Sequence, residues 1–178
     1  MLALPRIANT LRAMREAEIL PLPEAMIRLL HGYDRRARKP EYAARLAILM
    51  SEVGADRLRA MWRLSNDDIA TAESILSAAR LISEFRLNEA AYRHPGALAD
   101  AIDVAASLSN WGDAGKLAVV EQLQRLDVPR FPIRGNDLVG LGMPPGRELG
   151  ATLERLERAW IASGFTLDRE ALLEMARG

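Results

Sequence analysis

The chain of 178 residues has no cysteine at all. Disulfides and thiolate metal sites are therefore both excluded, and a reducing, cytoplasmic setting is the expectation. Aromatic residues make up only 5% of the sequence, while Ala and Leu dominate, a balance that suits helix interiors. No run approaches the ~20 apolar residues of a membrane span, and with Arg6 and Arg12 so early the N-terminus lacks the unbroken apolar core of a signal peptide. Alternating β-branched runs and Asn-Gly or Asp-Gly hairpin turns are also missing, so no sheet is expected. Lysine is nearly absent: of 24 basic residues only Lys39 and Lys116 are not arginine. Arginine's planar fork suits phosphate better than the lysine ammonium does, although genome composition also biases this choice.

What is present is helical periodicity from end to end. Ile7, Leu11 and Met14 start an amphipathic stretch that stops near Pro21–Pro23. Pro23 then suits the first turn of a helix through Met26, Leu29 and Leu30. His31–Lys39 reads as a polar, basic connection, and a helix after Pro40 carries Tyr42, Leu46, Leu49 and Met50 up to Gly54. A short segment holds Leu58, Met61 and Trp62. Ser65 followed by Asp67 and Asp68 reads as a capped helix start, and Ile69, Ala72, Leu76, Ala79, Ile82 and Phe85 continue it as an apolar stripe. Further helices are expected after Pro95, from Asp113 through Leu117 and Val120, over Asn136–Leu141, through Leu149–Ile161, and after Gly164. The fold class expected is all-α, an elongated multi-helix bundle with a C-terminal helical tail. Its parts are 1–31, 32–128, and a Pro- and Gly-rich 129–178.

The balance of charge is even, with 24 basic and 24 acidic residues, but its distribution is not. Arg35, Arg36, Arg38 and Lys39 fall in a locally basic stretch, whereas the middle of the chain is acidic. Catalytic groupings are hard to find. Asp67–Asp68 and Asp100/Asp103 are the tight aspartate pairs a two-metal site would need, yet both sit at helix starts, where carboxylates stabilise the dipole. His31 and His94 have no evident nucleophile or acid beside them, and no phosphate-cradling Gly-x-x-x-x-Gly-Lys motif occurs. No catalytic residue and no metal ligand is assigned. The turn from Gly140 to Gly150 stands out. Two helices joined by a tight glycine hairpin leave free amides at the second helix start, ready for a phosphate oxygen. Gly142, Gly146, Arg130, Arg134 and Arg147 are the candidate residues there, and a plain helical corner is the alternative reading.

Phe131-Pro132-Ile133, Gly135, Asp137-Leu138, Leu141-Gly142, Pro145-Gly146, Leu149-Gly150, Leu153, Leu156, Trp160 and Phe165 together resemble the tail of bacterial CCA-adding tRNA nucleotidyltransferases. The related bacterial poly(A) polymerases share much of that architecture. Met14 with Ile19-Leu20 and Leu22-Pro23-Glu24 resemble the family's neck, and Leu64-Ser65-Asn66 a turn of its body. The resemblance implies a region that holds tRNA or other structured RNA, without the N-terminal catalytic head whose magnesium ions and CTP or ATP do the chemistry. This chain therefore would need no cofactor of its own, would not be an enzyme by itself, and would contact no membrane. Two departures stand out: Asn136 where the family often has Arg or Lys, and Glu18 where glycine is usual. The rival class is a helical protein-interaction module, in keeping with the zero net charge.

Overall fold

The computed structural model describes residues 7–19, 22–37 and 39–177. Arg38, one of the candidate phosphate contacts, lies outside the described residues. Among those described there are eleven α-helices and no strand: α1 (Ile7–Glu16), α2 (Glu24–Arg36), α3 (Tyr42–Val53), α4 (Ala55–Met61), α5 (Asn66–Ser83), α6 (Leu87–Arg93), α7 (Leu98–Leu108), α8 (Asp113–Arg125), α9 (Gly135–Gly140), α10 (Arg147–Ala162) and α11 (Arg169–Arg177). A 3-10 turn at Pro95–Ala97 leads into α7. No described helix is long and apolar enough to cross a membrane. The chain divides into two compact units, one up to Arg125 and one from Leu126.

The first unit is built around α3, α5 and α7, which pack on one another. Every residue of α3 from Ala44 to Met50 is buried, apolar except for Arg45, as suits a central helix. Small residues on its neighbours, Ala72, Ala78 and Ala79 of α5 with Ala101 and Ala105 of α7, let the backbones approach closely. α5 begins with a full capping box: the Asp68 N–H donates to Ser65 Oγ at 3.0 Å, and the Ser65 N–H donates to the Asp68 carboxylate at 3.1 Å. Asp68 is thus committed to capping. α1 and α2 pack against each other, and α2 also rests on α3 and α7.

Three expectations need correction here. His31–Arg36 is helix, not a connection: α2 runs unbroken through positions 31 and 32 to Arg36, because Tyr33 continues the buried row of Met26, Ile27 and Leu30 at helical spacing. Phe85 does not belong to the core stripe of α5. It follows the helix in the left-handed region, with φ 58°, and is 69% exposed. On α8 the buried residue is Val119, while Leu117 is 58% exposed. The short helix α6 had no counterpart among the expected elements.

In the second unit, α9, α10 and α11 surround one aromatic cluster. Trp160 is buried between Phe131 and Phe165, with ring centroids at 5.4 and 4.8 Å, and Ile133, Leu138, Leu156 and Leu172 close the core around it. α9 ends in a Schellman motif: the Gly142 N–H donates to the Val139 carbonyl at 2.9 Å and the Met143 N–H to that of Leu138 at 3.1 Å. Gly142 takes φ 92° to do so, which is why a glycine stands there.

The same motif ends α1, with a carboxylate residue in glycine's place. The Glu18 N–H donates to the Arg15 carbonyl and the Ile19 N–H to that of Met14, both at 2.9 Å, and Glu18 sits at φ 56°. A side chain in this region costs roughly 1–2 kcal/mol, of which glycine's extra unfolded-state freedom offsets about half. Glu18→Gly is therefore expected to raise unfolding stability by about 0.5–1 kcal/mol. Urea unfolding of the two proteins measures it, and an unchanged or lower midpoint would contradict the strain.

Candidate nucleic-acid interface

α2 has two faces set by its sequence. Met26, Ile27, Leu30 and Tyr33 point into the core, while Ala25, Arg28, Leu29, Gly32, Arg35 and Arg36 recur at the complementary helical spacing. That second face forms one side of an open groove of about 980 Å³. Arg12 of α1 contributes from one side; Ser107 and Leu108 of α7, Asn110 and Asp113 contribute from the other. Four arginines and His31 thus line the groove against one aspartate.

The end of α2 is held firmly from beneath. Asp34 accepts a hydrogen bond from Arg45 Nε at 2.8 Å, and both side chains are buried. The Tyr33 hydroxyl accepts from the Glu41 N–H at 2.9 Å. With residues 33 and 34 turned inwards and bound, Arg35 and Arg36 must face out along the groove. Their charge also complements the negative end of the helix dipole. Arg36 Nη2 donates to Asn110 Oδ1 at 3.2 Å, and Lys116 Nζ donates to the Arg36 carbonyl at 3.3 Å, so the last turn is tied to both α7's end and α8.

The arginines differ in how far they are already occupied. Arg12 reaches Asn9 and, at 3.9 Å, the carboxylate of Glu24, which Arg15 also holds at 2.5 Å. Arg28 and Arg35 form no ion pair with any described carboxylate. Ser107 is 5% exposed, and its Oγ is buried without a hydrogen-bond partner where it borders the groove. An unpaired buried hydroxyl costs free energy.

Lys39 does not join this group. Its ammonium pairs with Glu41 at 2.8 Å, and it borders a different cleft of about 600 Å³ with Asp100, Asp103 and Lys116. The Asp100/Asp103 pair is therefore part of a mixed-charge rim, with Glu41, Lys39 and Lys116, over apolar Leu98, Ile102, Val120 and Leu123. Burial, then the neighbouring Glu41 and Asp103 charges, push the Asp100 carboxyl up from its ordinary range. His94 has a partner, its Nδ1 lying 3.0 Å from Ser74 Oγ. His31 borders the arginine groove.

In the second unit the candidate residues are spread along one segment. Arg130 lies in the extended stretch before α9, Arg134 precedes α9, Gly146 precedes α10, and Arg147 opens α10. The Arg134 N–H donates to Asp137 Oδ2 at 2.7 Å, and Arg169 holds the other oxygen at 2.7 Å. Those two partners, the backbone bond first, keep the Asp137 carboxyl below its usual range. Asp137 is thus spent on the local structure rather than opposing the nearby arginines, and none of Arg130, Arg134 and Arg147 forms an ion pair with a described acid. α10 starts without a side-chain cap, and the space beside the Gly146 Cα is open. Its first amides are accessible to an anion, with Glu148 of the same turn working against one.

Arg12, Arg28, His31, Ser107 and Asn110 escape a reading by linear motif. The available signal was the spacing of Arg28 and Arg35, seven residues apart and hence on one helix face, once α2 is known to pass His31.

Two outcomes test the support beneath α2. Asp34→Ala breaks this inward-facing ion pair, so a loss of about 3–5 kcal/mol is expected in urea unfolding. The double variant Asp34→Leu with Arg45→Met should recover most of it; a loss as large as that of the single variant would show that the pair's charge is not the issue. Burial pushes the Tyr33 phenol up to about 12, with the Asp100 and Asp103 charges adding to the rise and the Glu41 N–H and Arg45 opposing it. Its folded value exceeds the unfolded one near 10, so stability is intact below about pH 10 and falls as pH rises towards about 12, by on the order of 2–3 kcal/mol. Tyr33→Phe should flatten this alkaline loss, and a tyrosinate absorbance titration in which every tyrosine ionises freely near pH 10 would refute it.

The chain matches no protein-family model. Over 59 residues it is 34% identical to the mitochondrial CCA tRNA nucleotidyltransferase 1 of Mus musculus, 32% to that of Homo sapiens and 36% to that of Danio rerio. The matched stretch is 33% of this chain and 14% of each of those proteins, so the chain covers only a small part of the relatives it resembles.

Proposed function

We propose that this chain is an RNA-holding region that grips the sugar–phosphate backbone of tRNA, as part of a protein concerned with tRNA 3′-end processing. The carrying observation is the groove in which Arg12, Arg28, Arg35 and Arg36 converge beside the unpartnered Ser107 hydroxyl. Guanidinium forks on a rigid helix face bind phosphate oxygens by position and charge, without reading base sequence. The partial similarity to CCA tRNA nucleotidyltransferases supports tRNA as the RNA and CCA addition, rather than poly(A) addition, as the process. Nucleotide transfer with magnesium and CTP or ATP would then belong to a catalytic head outside this chain, and the setting would be cytoplasmic. In the second unit Arg130, Arg134, Arg147 and the amides after Gly146, with the turn at Gly142, form the second grip.

A second reading, a protein-interaction module, draws on the apolar cleft between α7 and α8, whose mixed-charge rim suits an amphipathic helix. A sizing experiment showing tight self-association or a protein complex that occupies this cleft, with no RNA binding, would favour it.

With about four phosphates neutralised, tRNA affinity should fall roughly a hundredfold between about 50 and about 200 mM salt. Arg28→Ala and Arg35→Ala should each weaken binding evenly across RNA sequences and lower the salt slope by about one. Fluorescence anisotropy with labelled tRNA reads both, and absence of binding by the wild-type chain at low salt would sink the proposal.

A further inference from the structure

We propose that the pair of exposed Phe85 and half-buried Trp111 is a base-stacking ledge that takes an unpaired nucleotide of an RNA strand whose phosphates lie in the arginine groove. The proposal rests on the RNA reading of that groove. Phe85 stands just beyond α5, 69% exposed, in the left-handed region that a bulky side chain adopts only where its surroundings hold it. Its ring stacks on that of Trp111, with centroids 5.9 Å apart and planes 29° from parallel. A Schellman motif fixes the turn beneath it, the Phe85 N–H donating to the Ile82 carbonyl at 3.0 Å and the Arg86 N–H to that of Leu81 at 2.9 Å.

The ledge adjoins the groove. Asn110 and Asp113 both line the groove, and Trp111 lies between them in the chain. Asn110, itself at φ 51°, is the residue that binds Arg36. The Ser109 hydroxyl donates to Ser83 Oγ at 3.0 Å, joining the end of α7 to the end of α5 just before Phe85. The end of α7 is therefore tied both to Arg36 of the groove and to the end of α5 that carries Phe85. Groups of this kind, a cationic track flanked by aromatic faces, hold single strands: phosphates take the charge and a splayed base takes the ring. A protein partner fits less well. Standard interfaces need about 800 Å² on each side, and two part-exposed rings offer only on the order of 200 Å².

The test compares two RNAs with equal numbers of phosphates, a single-stranded oligomer and a blunt-ended duplex, by anisotropy at low salt. Phe85→Ala and Phe85→Leu should each weaken the single strand roughly tenfold and leave the duplex unchanged. Phe85→Leu keeps apolar cover over Trp111, and thermal melts of both variants separate a folding defect from lost stacking. Arg28→Ala with Arg35→Ala should weaken both RNAs alike and lower the salt slope. If the Phe85 variants weaken both RNAs equally or neither, the ledge is overturned while the groove stands. If the arginine variant leaves both RNAs unchanged, the groove reading falls, and the coupling of ledge to groove with it. Phe85 variants that change only self-association would mark the patch as a protein contact and also overturn the proposal.

Discussion

The groove depends on a buried charge pair that does not touch it. Asp34 and Arg45 lock the last turn of α2 against α3, and Tyr33 locks the same turn to the start of α3. A helix end would otherwise fray, since its last carbonyls lack intrahelical partners. Here two adjacent inward side chains fix the rotation of the turn, and the next two residues, Arg35 and Arg36, are left facing outwards. Buried ion pairs are poor sources of net stability, because desolvation offsets the attraction. Their consequence here is orientation: the carboxylate has one guanidinium to meet, so the turn has one register.

Much of the helical skeleton was legible in the sequence, and the reasons are local. Ser65 with Asp68 announced the start of α5, and the observed capping box is the side-chain exchange that pattern encodes. Gly54 marked the end of α3, where it takes φ 84°. Legibility failed where polar composition masked packing. His31 to Lys39 looks like a loop because it is charged, yet one buried residue per turn, Tyr33, suffices to carry the helix on, and a helix with one wet face is rich in charge by construction. Phe85 failed in the opposite direction, its hydrophobicity suggesting core although the helix had already ended at Ser83.

The site was legible only in fragments. Arg35 and Arg36 were visible as a basic cluster, but the groove arises from α1, α2, α7 and the start of α8 together, and no linear pattern encodes that meeting. Lys39 shows the converse, since nearness in sequence placed it with the arginines while its ammonium turned to Glu41. In the second unit the glycines and the Trp160 cluster carried the pattern, because backbone geometry and aromatic packing each demand particular residues at fixed offsets. The arginines around them are under no such local demand, so spacing says little about what they touch.

Zero net charge does not oppose an RNA role once the charges are located. The first unit gathers arginines in one groove, while another cleft has a mixed rim of Glu41, Asp100 and Asp103 with Lys39 and Lys116. Lys116 connects the two, pairing with Asp103 while donating to the Arg36 carbonyl. A uniformly basic surface would attract RNA in many orientations. With screening over about 8–10 Å at physiological salt, the field of the arginines is felt mainly along the groove they line, so the chain's net charge does not decide what that groove attracts.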